Sequence, residues 1–211
     1  MCKKVTALLT LMITLLSLSG CKSQSFGDSN MDIYEKIHAY YSNMDRYSAN
    51  VAFTCYSNKT ENHYTAAQKA MGNDKHWIRV QTPAENFSVT TVTNKDKTKT
   101  LADGSSYTVT VPTSDVTNFL FVDQFFSRYY ASEDTCLSVT GGAEGNVTLL
   151  ETPLFPVNNK DAKITLSIDN KTLAPVSLTV YSHGGTVTLS ATFSDFKYND
   201  KEIKDSDFTT D

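Results

Sequence analysis

Strict alternation of apolar and polar residues in the C-terminal third constrains the fold of this chain most strongly. Apolar residues recur at every second position in 164–168, 176–180 and 187–193. Successive side chains of a β-strand point to opposite faces, so each segment predicts a strand with one packed and one solvated face. Turn-forming residues at Asn170-Lys171 and His183-Gly184-Gly185 separate the three segments. Together they predict an antiparallel sheet.

The same period of two recurs in shorter stretches through the rest of the chain. Turn residues, such as Asp103-Gly104, separate several of these stretches. With the C-terminal strands they predict a sheet of ten or eleven strands. The additional predicted strands are 47–57, 63–71, 76–82, 88–93, 99–102, 107–111, 135–139 and 146–151.

Two segments switch to the helical period of 3.6. Residues 31–44 carry one apolar stripe behind Asn30, a residue type that caps helices. A second helix, capped by Ser114 or Asp115, has a heavily aromatic face. A large antiparallel sheet must twist and curl, and it buries its apolar face most simply around these helices. The predicted fold is therefore α+β: a large curved antiparallel sheet, an open half-barrel, wrapped around an N-terminal helix and one inserted helix.

The N-terminus resembles a bacterial lipoprotein signal. Lys3 and Lys4 precede an apolar run of about a dozen residues, which is short for a permanent membrane span. Leu18-Ser19-Gly20-Cys21 follows. Such a signal implies cleavage before Cys21 and a diacylglycerol thioether on its thiol, with or without an N-acyl chain. A plain secretory leader or an uncleaved anchor is the alternative. The predicted organisation is a signal peptide over 1–20, a lipidated tether over 21–30 and a single domain over 31–211.

Charge and cysteine content narrow the function further. Without residues 1–20 the chain has 17 basic and 23 acidic residues, a formal charge of −6. This acidity argues against nucleic acid as a partner. Cys55 and Cys136 lack the spacing of metal ligands, and no other cofactor or metal is expected. An extracytoplasmic location would permit a disulfide between them, although two free thiols are favoured because Cys55 shares the parity of a packed strand face.

The strand and turn patterns resemble a known fold and family. Residues 47–64 resemble the opening of the lipoprotein-carrier fold of the LolA and LolB type. Residues 166–181 (LSIDNKTLAPVSLTVY) and 193–199 (FSDFKYN), followed by Ile203 and Phe208, resemble the GerS-type germination lipoproteins of spore-forming Firmicutes. The resemblance covers essentially the whole mature chain and rests on structural patterns. Phe193 and Phe196 are expected to fill the concave side of the sheet, and Phe208 to fold the C-terminal tail back onto the domain.

The resemblance implies a non-enzymatic protein, with two alternatives for its role. GerS-type members bind and activate a cell-wall N-acetylmuramoyl-L-alanine amidase (CwlD-like) that modifies spore-cortex peptidoglycan. LolB-like members hold acyl chains or lipoproteins in an apolar hollow. Either role implies a lipid anchor at the extracytoplasmic face of the membrane, and the GerS role implies the forespore envelope. An unprotected sheet edge would also permit a strand-exchanged homodimer.

Two aromatic groups are candidate sites. Around the inserted helix, aromatic residues would line a groove or simply fill the core. Elsewhere, partly exposed aromatic residues would form a surface for a partner, or each would equally well cap its own strand or helix. The first group is Phe119, Phe126, Tyr129 and Tyr130, and the second is Tyr40, Tyr41, Tyr56 and Trp77.

No catalytic residues are predicted. The chain has no nucleophile elbow, phosphate-binding loop or zinc-protease spacing. Neighbouring strands would be able to bring His63 and His76 together, but exposed polar residues at strand ends are the simpler interpretation. A hydrolase of envelope polymers is a third hypothesis, and it requires a cleft with converging carboxylates or a perturbed histidine.

Overall fold

The computed structural model describes residues 28–81, 88–102, 108–109, 118–140, 146–154 and 161–210. Its helices are α1 (Asp28–Ser42), α2 (Val122–Ala131) and a short 3-10 helix (Asp205–Phe208). The strands are β1 (Arg46–Tyr56), β2 (Glu61–Met71), β3 (Lys75–Gln81), β4 (Ser88–Asn94), β5 (Lys97–Ala102), β6 (Thr108–Val109), β7 (Cys136–Thr140), β8 (Val147–Pro153), β9 (Asp161–Asp169), β10 (Pro175–Ser182) and β11 (Val187–Tyr198).

The described strands form one antiparallel sheet of eleven strands in the order β6-β5-β4-β3-β2-β1-β11-β10-β9-β8-β7. The central pair joins the first strand to the last. Because β6 and β7 stand at opposite edges, the chain between them must cross from one side of the sheet to the other, and α2 lies on this crossing. The predicted fold class, an open curved sheet with one N-terminal and one inserted helix, is confirmed.

The face of the sheet that α2 covers, here called the inner face, carries the main core. Tyr47, Val51 and Phe53 of β1 alternate with half-buried and exposed residues, as the sequence predicts. On the other half of the sheet, β9 contributes Ile164, Leu166 and Ile168, which have no exposed surface. Each such buried side chain contributes about 1.5–3 kcal/mol through the area it removes from water. The core therefore spans both halves of the sheet and holds α2 against them.

A β-bulge in β11 lets two phenylalanines share the inner face. The register with β1 shifts between Ser48 and Asn50, and Asp195 opposite this shift has a positive φ of 52°. The extra residue changes the alternation, so that Phe193 and Phe196 both pack against the main core instead of facing opposite ways. The expectation that both residues fill the concave side is confirmed.

The helix boundaries differ from those predicted. Helix α1 begins at Asp28, so Asn30 lies inside the helix and not in front of it as predicted. Helix α2 begins at Val122; residues 118–119 before it are also helical, a break at 120–121 separates the two, and residues 114–117 lie outside the described residues. The residue before α2 makes no side-chain cap. Instead the Val122 amide donates to the hydroxyl of Tyr47, 2.9 Å away on β1. Tertiary contact replaces the local cap, and no local sequence pattern shows it.

A second, smaller core lies on the outer face, the side of the sheet away from α2. Ile203 and Phe208 of the C-terminal tail pack there against Met71 and Val92. Phe208 has no exposed surface, so the expectation that it folds the tail back onto the domain is confirmed. Two ion pairs flank this contact: Lys69–Asp207 and Lys75–Asp205.

Both described cysteines are free thiols. Cys55 is half-buried on β1, and Cys136 is exposed on the edge strand β7. The structure therefore agrees with the favoured alternative of two unpaired cysteines.

Candidate functional site

The aromatic residues predicted around the inserted helix fill the core. Phe119, Phe126 and Tyr129 are at most 5% exposed. Phe126 stacks on Tyr41 of α1 with ring centroids 3.9 Å apart. Tyr130 differs, since 40% of it is exposed. Of the two interpretations, core filling holds for the first three residues, and Tyr130 lies at the surface.

The predicted partner surface does not exist as one patch. Tyr41 is only 6% exposed, and its hydroxyl donates to the backbone oxygen of Leu173. It therefore belongs to the core, and its assignment to a partner surface is wrong. Its neighbour Tyr40 is half-buried and stacks on Tyr198 at 4.0 Å. Adjacent residues of a helix point about 100° apart, so the Tyr40-Tyr41 pair cannot present both rings to a partner.

Trp77 and Tyr56 lie far apart on the outer face. Trp77 pairs with Lys69, which pairs with Ser48 of β1. Eight residues of β1 separate Ser48 from Tyr56, about 26 Å of extended chain. Trp77 is half-buried beside the C-terminal tail, whereas Tyr56 is exposed at the end of its strand. The two residues therefore belong to different surfaces.

A different aromatic patch is exposed between the helices. The His38 ring of α1 lies 5.0 Å from the ring of Tyr130 on α2 and 6.1 Å from that of Tyr34. His38 and Tyr130 are exposed, and Tyr34 is half-buried. We call Tyr34, His38 and Tyr130 the helix patch. Aromatic side chains that are partly exposed in a cluster are typical of protein interfaces.

A buried polar network joins α2 to the sheet. His76 Nε2 lies 2.7 Å from Asp123 Oδ2, and the Tyr47 hydroxyl donates to Asp123 Oδ1 at 3.1 Å. The same hydroxyl accepts the hydrogen bond of the Val122 amide, and Gln124 Nε2 also donates to Asp123. The side chains of His76 and Asp123 are 10% and 8% exposed. Burial, and the Asp123 carboxylate next to it, raise the pKa of Tyr47 well above its usual value.

This network corrects the interpretation of the histidines. His76 is buried on the inner face and is not an exposed residue at a strand end. It does not meet His63, which is exposed and bonds to Thr54 across the hairpin. The described hydrogen bonds of Asp123 go to the side chains of Tyr47 on β1, His76 on β3 and Gln124 on α2. The role of the network is therefore structural: it holds α2 against the sheet. Asp123 was not among the residues predicted from the sequence. The strand alternation that places Tyr47 and His76 on the packed face is a signal for it, because buried polar side chains require a polar partner.

Among the described residues, no group of three or more His, Cys, Asp or Glu residues has the arrangement of a metal site. None of the described helices has both the length and the apolar character of a membrane-spanning segment. Cys21, the predicted site of lipid attachment, lies outside the described residues.

Solved structures with low sequence identity resemble this chain. An uncharacterised conserved protein from Thermus thermophilus matches with a TM-score of 0.54 and 13% identity, over 86% of this chain and 93% of its own. The structure of the CwlD amidase from Clostridioides difficile in complex with the GerS lipoprotein matches with a TM-score of 0.47 and 21% identity, over 83% of this chain and 99% of the matched chain. A LolA superfamily protein from Nitrosomonas europaea matches with a TM-score of 0.44 and 15% identity, over 85% of this chain and 97% of its own. The first likeness shows a shared fold.

Family membership rests on sequence. A search of curated proteins finds no match. The model of one protein family, in contrast, matches residues 2–208, nearly the whole length of the chain. The chain therefore belongs to the YdcC-like family of sporulation proteins.

Proposed function

We propose that this protein is a membrane-tethered, non-enzymatic adaptor that docks on a cell-wall N-acetylmuramoyl-L-alanine amidase during spore formation. In this role it activates the enzyme for cortex modification, which germination later requires. The observation that carries the proposal is membership of a sporulation protein family over residues 2–208. The GerS-like strand and turn patterns and the lipoprotein signal at Leu18–Cys21 support it.

The buried polar groups of the folded domain are consistent with a protein that binds a partner and does not itself carry out catalysis. The histidine–carboxylate pair of His76 and Asp123 is buried and bonded to the residues that fix α2. Its groups are therefore engaged in holding the fold and are not presented to a substrate. In this proposal any catalytic zinc belongs to the amidase.

We assign the docking surface to the helix patch. Tyr130 and His38 offer aromatic area at the surface, and each ring also lies against neighbouring aromatic rings, which restrict its direction. Side chains that are already ordered lose little entropy on binding, which favours them as interface anchors.

Affinity purification from sporulating cells tests the partner. The wild-type protein is expected to recover an amidase. Tyr130→Ala is expected to weaken amidase binding by about thirtyfold, since a central aromatic anchor contributes about 2 kcal/mol. Tyr181→Ala is the matched control, because Tyr181 is a half-exposed tyrosine on the outer face of β10. Recovery of no amidase, together with normal germination of a deletion strain, would refute the proposal.

The anchor is tested separately. Cys21→Ser removes the thiol that the lipid would modify, and it is expected to move the protein from the membrane fraction to the soluble fraction. Two acyl chains hold a protein stably at a bilayer, with about 0.8 kcal/mol for each buried methylene. Mass analysis of the wild-type N-terminal peptide should show the diacylglycerol adduct, and an unmodified thiol with an intact leader would contradict it.

The alternative role, a LolB-like acceptor of acyl chains, needs a hollow between α2 and the sheet. Phe125 and Phe126 occupy that position in the described residues and are at most 4% exposed. Native mass spectrometry distinguishes the two roles, because an acceptor would carry a bound lipid or a fatty-acyl probe. An adaptor of the proposed type is expected to show the mass of the protein alone.

A further inference from the structure

A groove lies at the end of the sheet where two hairpins turn. Its volume is about 890 Å³. One wall is the end of β1 and the β1–β2 turn, with Tyr56, Asn58 and Lys59; the other is the β10–β11 turn, with His183 and Gly184. None of the functional residues predicted from the sequence except Tyr56 belongs to this groove. It lies on strand ends and turns, apart from the helix patch.

Both walls of the groove are fixed by their own hydrogen bonds. In the β1–β2 turn the Ser57 amide donates to the backbone oxygen of Thr60, and the Ser57 and Thr60 hydroxyls are 2.8 Å apart. In the β10–β11 turn the Ser182 amide donates to the oxygen of Thr186, and Gly185 bonds back to Ser182. A groove between two closed turns is formed before a ligand arrives, which lowers the cost of binding.

The aromatic wall is also held in place. Tyr56 is 36% exposed, and its hydroxyl lies 3.1 Å from the Ser190 hydroxyl of β11. This contact fixes the direction of the ring while part of it faces solvent. A fixed, half-exposed tyrosine presents a flat apolar surface together with a polar rim.

The charge of the groove is opposite to that of the chain. The protein has a net charge of −4, yet the described residues that line the groove include a lysine and a histidine and no carboxylate. The rest of the lining includes amide and hydroxyl groups, among them those of Asn58, Ser57 and Thr188, together with the apolar side chain of Val187 and the ring of Tyr56. The groove therefore complements a ligand that carries negative charge and many hydroxyl or amide groups.

We propose that this groove binds a glycan that carries carboxylate groups, the chemistry of peptidoglycan strands. Tyr56 stacks on the face of a sugar ring. Asn58 and the hydroxyls bond to sugar hydroxyl and acetamido groups, and Lys59 pairs with a carboxylate. This site does not depend on the proposed amidase partner. An adaptor with both contacts would hold polymer and enzyme together.

A charge placed in the groove provides the sharpest test. A side chain at Gly184 would meet nothing closer than the Ser182 hydroxyl, 3.8 Å from the new Cβ, which is an ordinary contact. Gly184→Glu therefore adds a carboxylate to the groove without strain. Gly185 is unsuitable for this purpose, because its φ of 78° requires glycine.

The experiment measures binding of a soluble disaccharide-peptide, released from peptidoglycan, to the purified protein without amidase. Wild type is expected to bind, and Gly184→Glu and Lys59→Ala are expected to bind at least about fivefold more weakly, because like charge repels and a charge pair is lost. Lys171→Ala is the control, since this exposed lysine lies in the β9–β10 turn at the other end of the sheet. Thermal unfolding of each variant shows that the fold is intact.

Three further probes separate glycan recognition from simpler attraction. An uncharged N-acetylglucosamine oligomer is expected to bind wild type more weakly than the disaccharide-peptide does. Polyglutamate and phosphatidylglycerol vesicles carry negative charge without sugar, and they are expected to bind wild type no better than Gly184→Glu. No binding of the disaccharide-peptide, equal binding by Gly184→Glu, or equal binding of polyglutamate would overturn the proposal. Failure here leaves the amidase result unaffected, because no amidase is present in this assay.

Discussion

His76 Nε2 lies 2.7 Å from Asp123 Oδ2, and this contact ties β3 to the first turn of α2 inside the main core. Tyr47 of β1 bonds to the same carboxylate and to the amide of Val122. Three elements distant in sequence therefore meet at one buried carboxylate. A buried charge is tolerated only where donors surround it, and removal of one donor leaves the carboxylate with too few hydrogen bonds.

Tyr47→Phe is expected to reduce the free energy of unfolding by about 1–3 kcal/mol, because a buried amide and a buried carboxylate lose their partner. The ring itself is kept, so packing changes little. Urea denaturation followed by circular dichroism measures the effect. Tyr181→Phe, on the outer face, should stay within about 0.5 kcal/mol of wild type. Equal stability of the two variants would show that the network does not hold α2.

Phe208→Ala is expected to cost about 3–5 kcal/mol, since it leaves a cavity in the small core of the outer face. Phe208 has no exposed surface, whereas Leu101 is 40% exposed. Leu101→Ala is therefore the control and should change stability by less than about 0.5 kcal/mol. Hydrogen exchange should show the loss first in β3 and β4, which the tail contacts. Unchanged exchange in those strands would contradict this role of the tail.

Stability is expected to fall in alkaline solution because buried tyrosines resist ionisation. Burial raises the pKa of Tyr129 to about 12 and moves those of Tyr41 and Tyr47 well upward. A tyrosine of the unfolded chain ionises near pH 10, while the folded state keeps its proton. The stability that these protonated tyrosines contribute is therefore fully present below about pH 10, and it is lost as the pH rises through about 12.

Denaturation midpoints measured between pH 8 and pH 12 test this expectation. Tyr129→Phe should make the decline less steep, because the substituted residue has no proton to retain. Tyr181→Phe should leave the decline as in wild type. A midpoint independent of pH over this range would contradict the assignment.

The two cysteines of the described domain are expected to react at different rates. Burial raises the pKa of the Cys55 thiol, and the side chain is half-buried, whereas Cys136 is exposed. The thiolate is the reactive form, so a maleimide at pH 8 should label Cys136 first. Peptide mapping without a reductant should recover both as free thiols. A Cys55–Cys136 peptide in that map would show a disulfide instead.

Strand positions were predictable because their signal is local. Val51 and Phe53 on β1, and Ile164, Leu166 and Ile168 on β9, alternate with polar residues, and a half-buried strand imposes that period wherever it lies. The burial of Phe208 also followed from an isolated large apolar residue near the end of a polar tail. The aromatic face of α2 was also predictable from the sequence. The first residue of α2 was not, because the hydroxyl that accepts from its Val122 amide belongs to Tyr47 on the distant strand β1.

The candidate sites were harder to predict, since each depends on which elements become neighbours. Tyr41 and Tyr40 are adjacent in sequence, yet packing buries one and leaves the other half-exposed. His38 and Tyr130 belong to different helices and meet only in the folded chain. The hairpin groove likewise joins turns more than 120 residues apart, which no local pattern reveals.

The amino-acid sequence by itself determined the large antiparallel sheet, the two helices and the tail that packs back onto the domain, because periodicity and apolar content act residue by residue. Only the tertiary structure decided that His76, Asp123 and Tyr47 form one buried network, that the helix patch is exposed, and that two hairpin turns enclose a cationic groove. These features depend on distances between segments remote in sequence, which are set by the order of strands in the sheet and by the path of α2 across it.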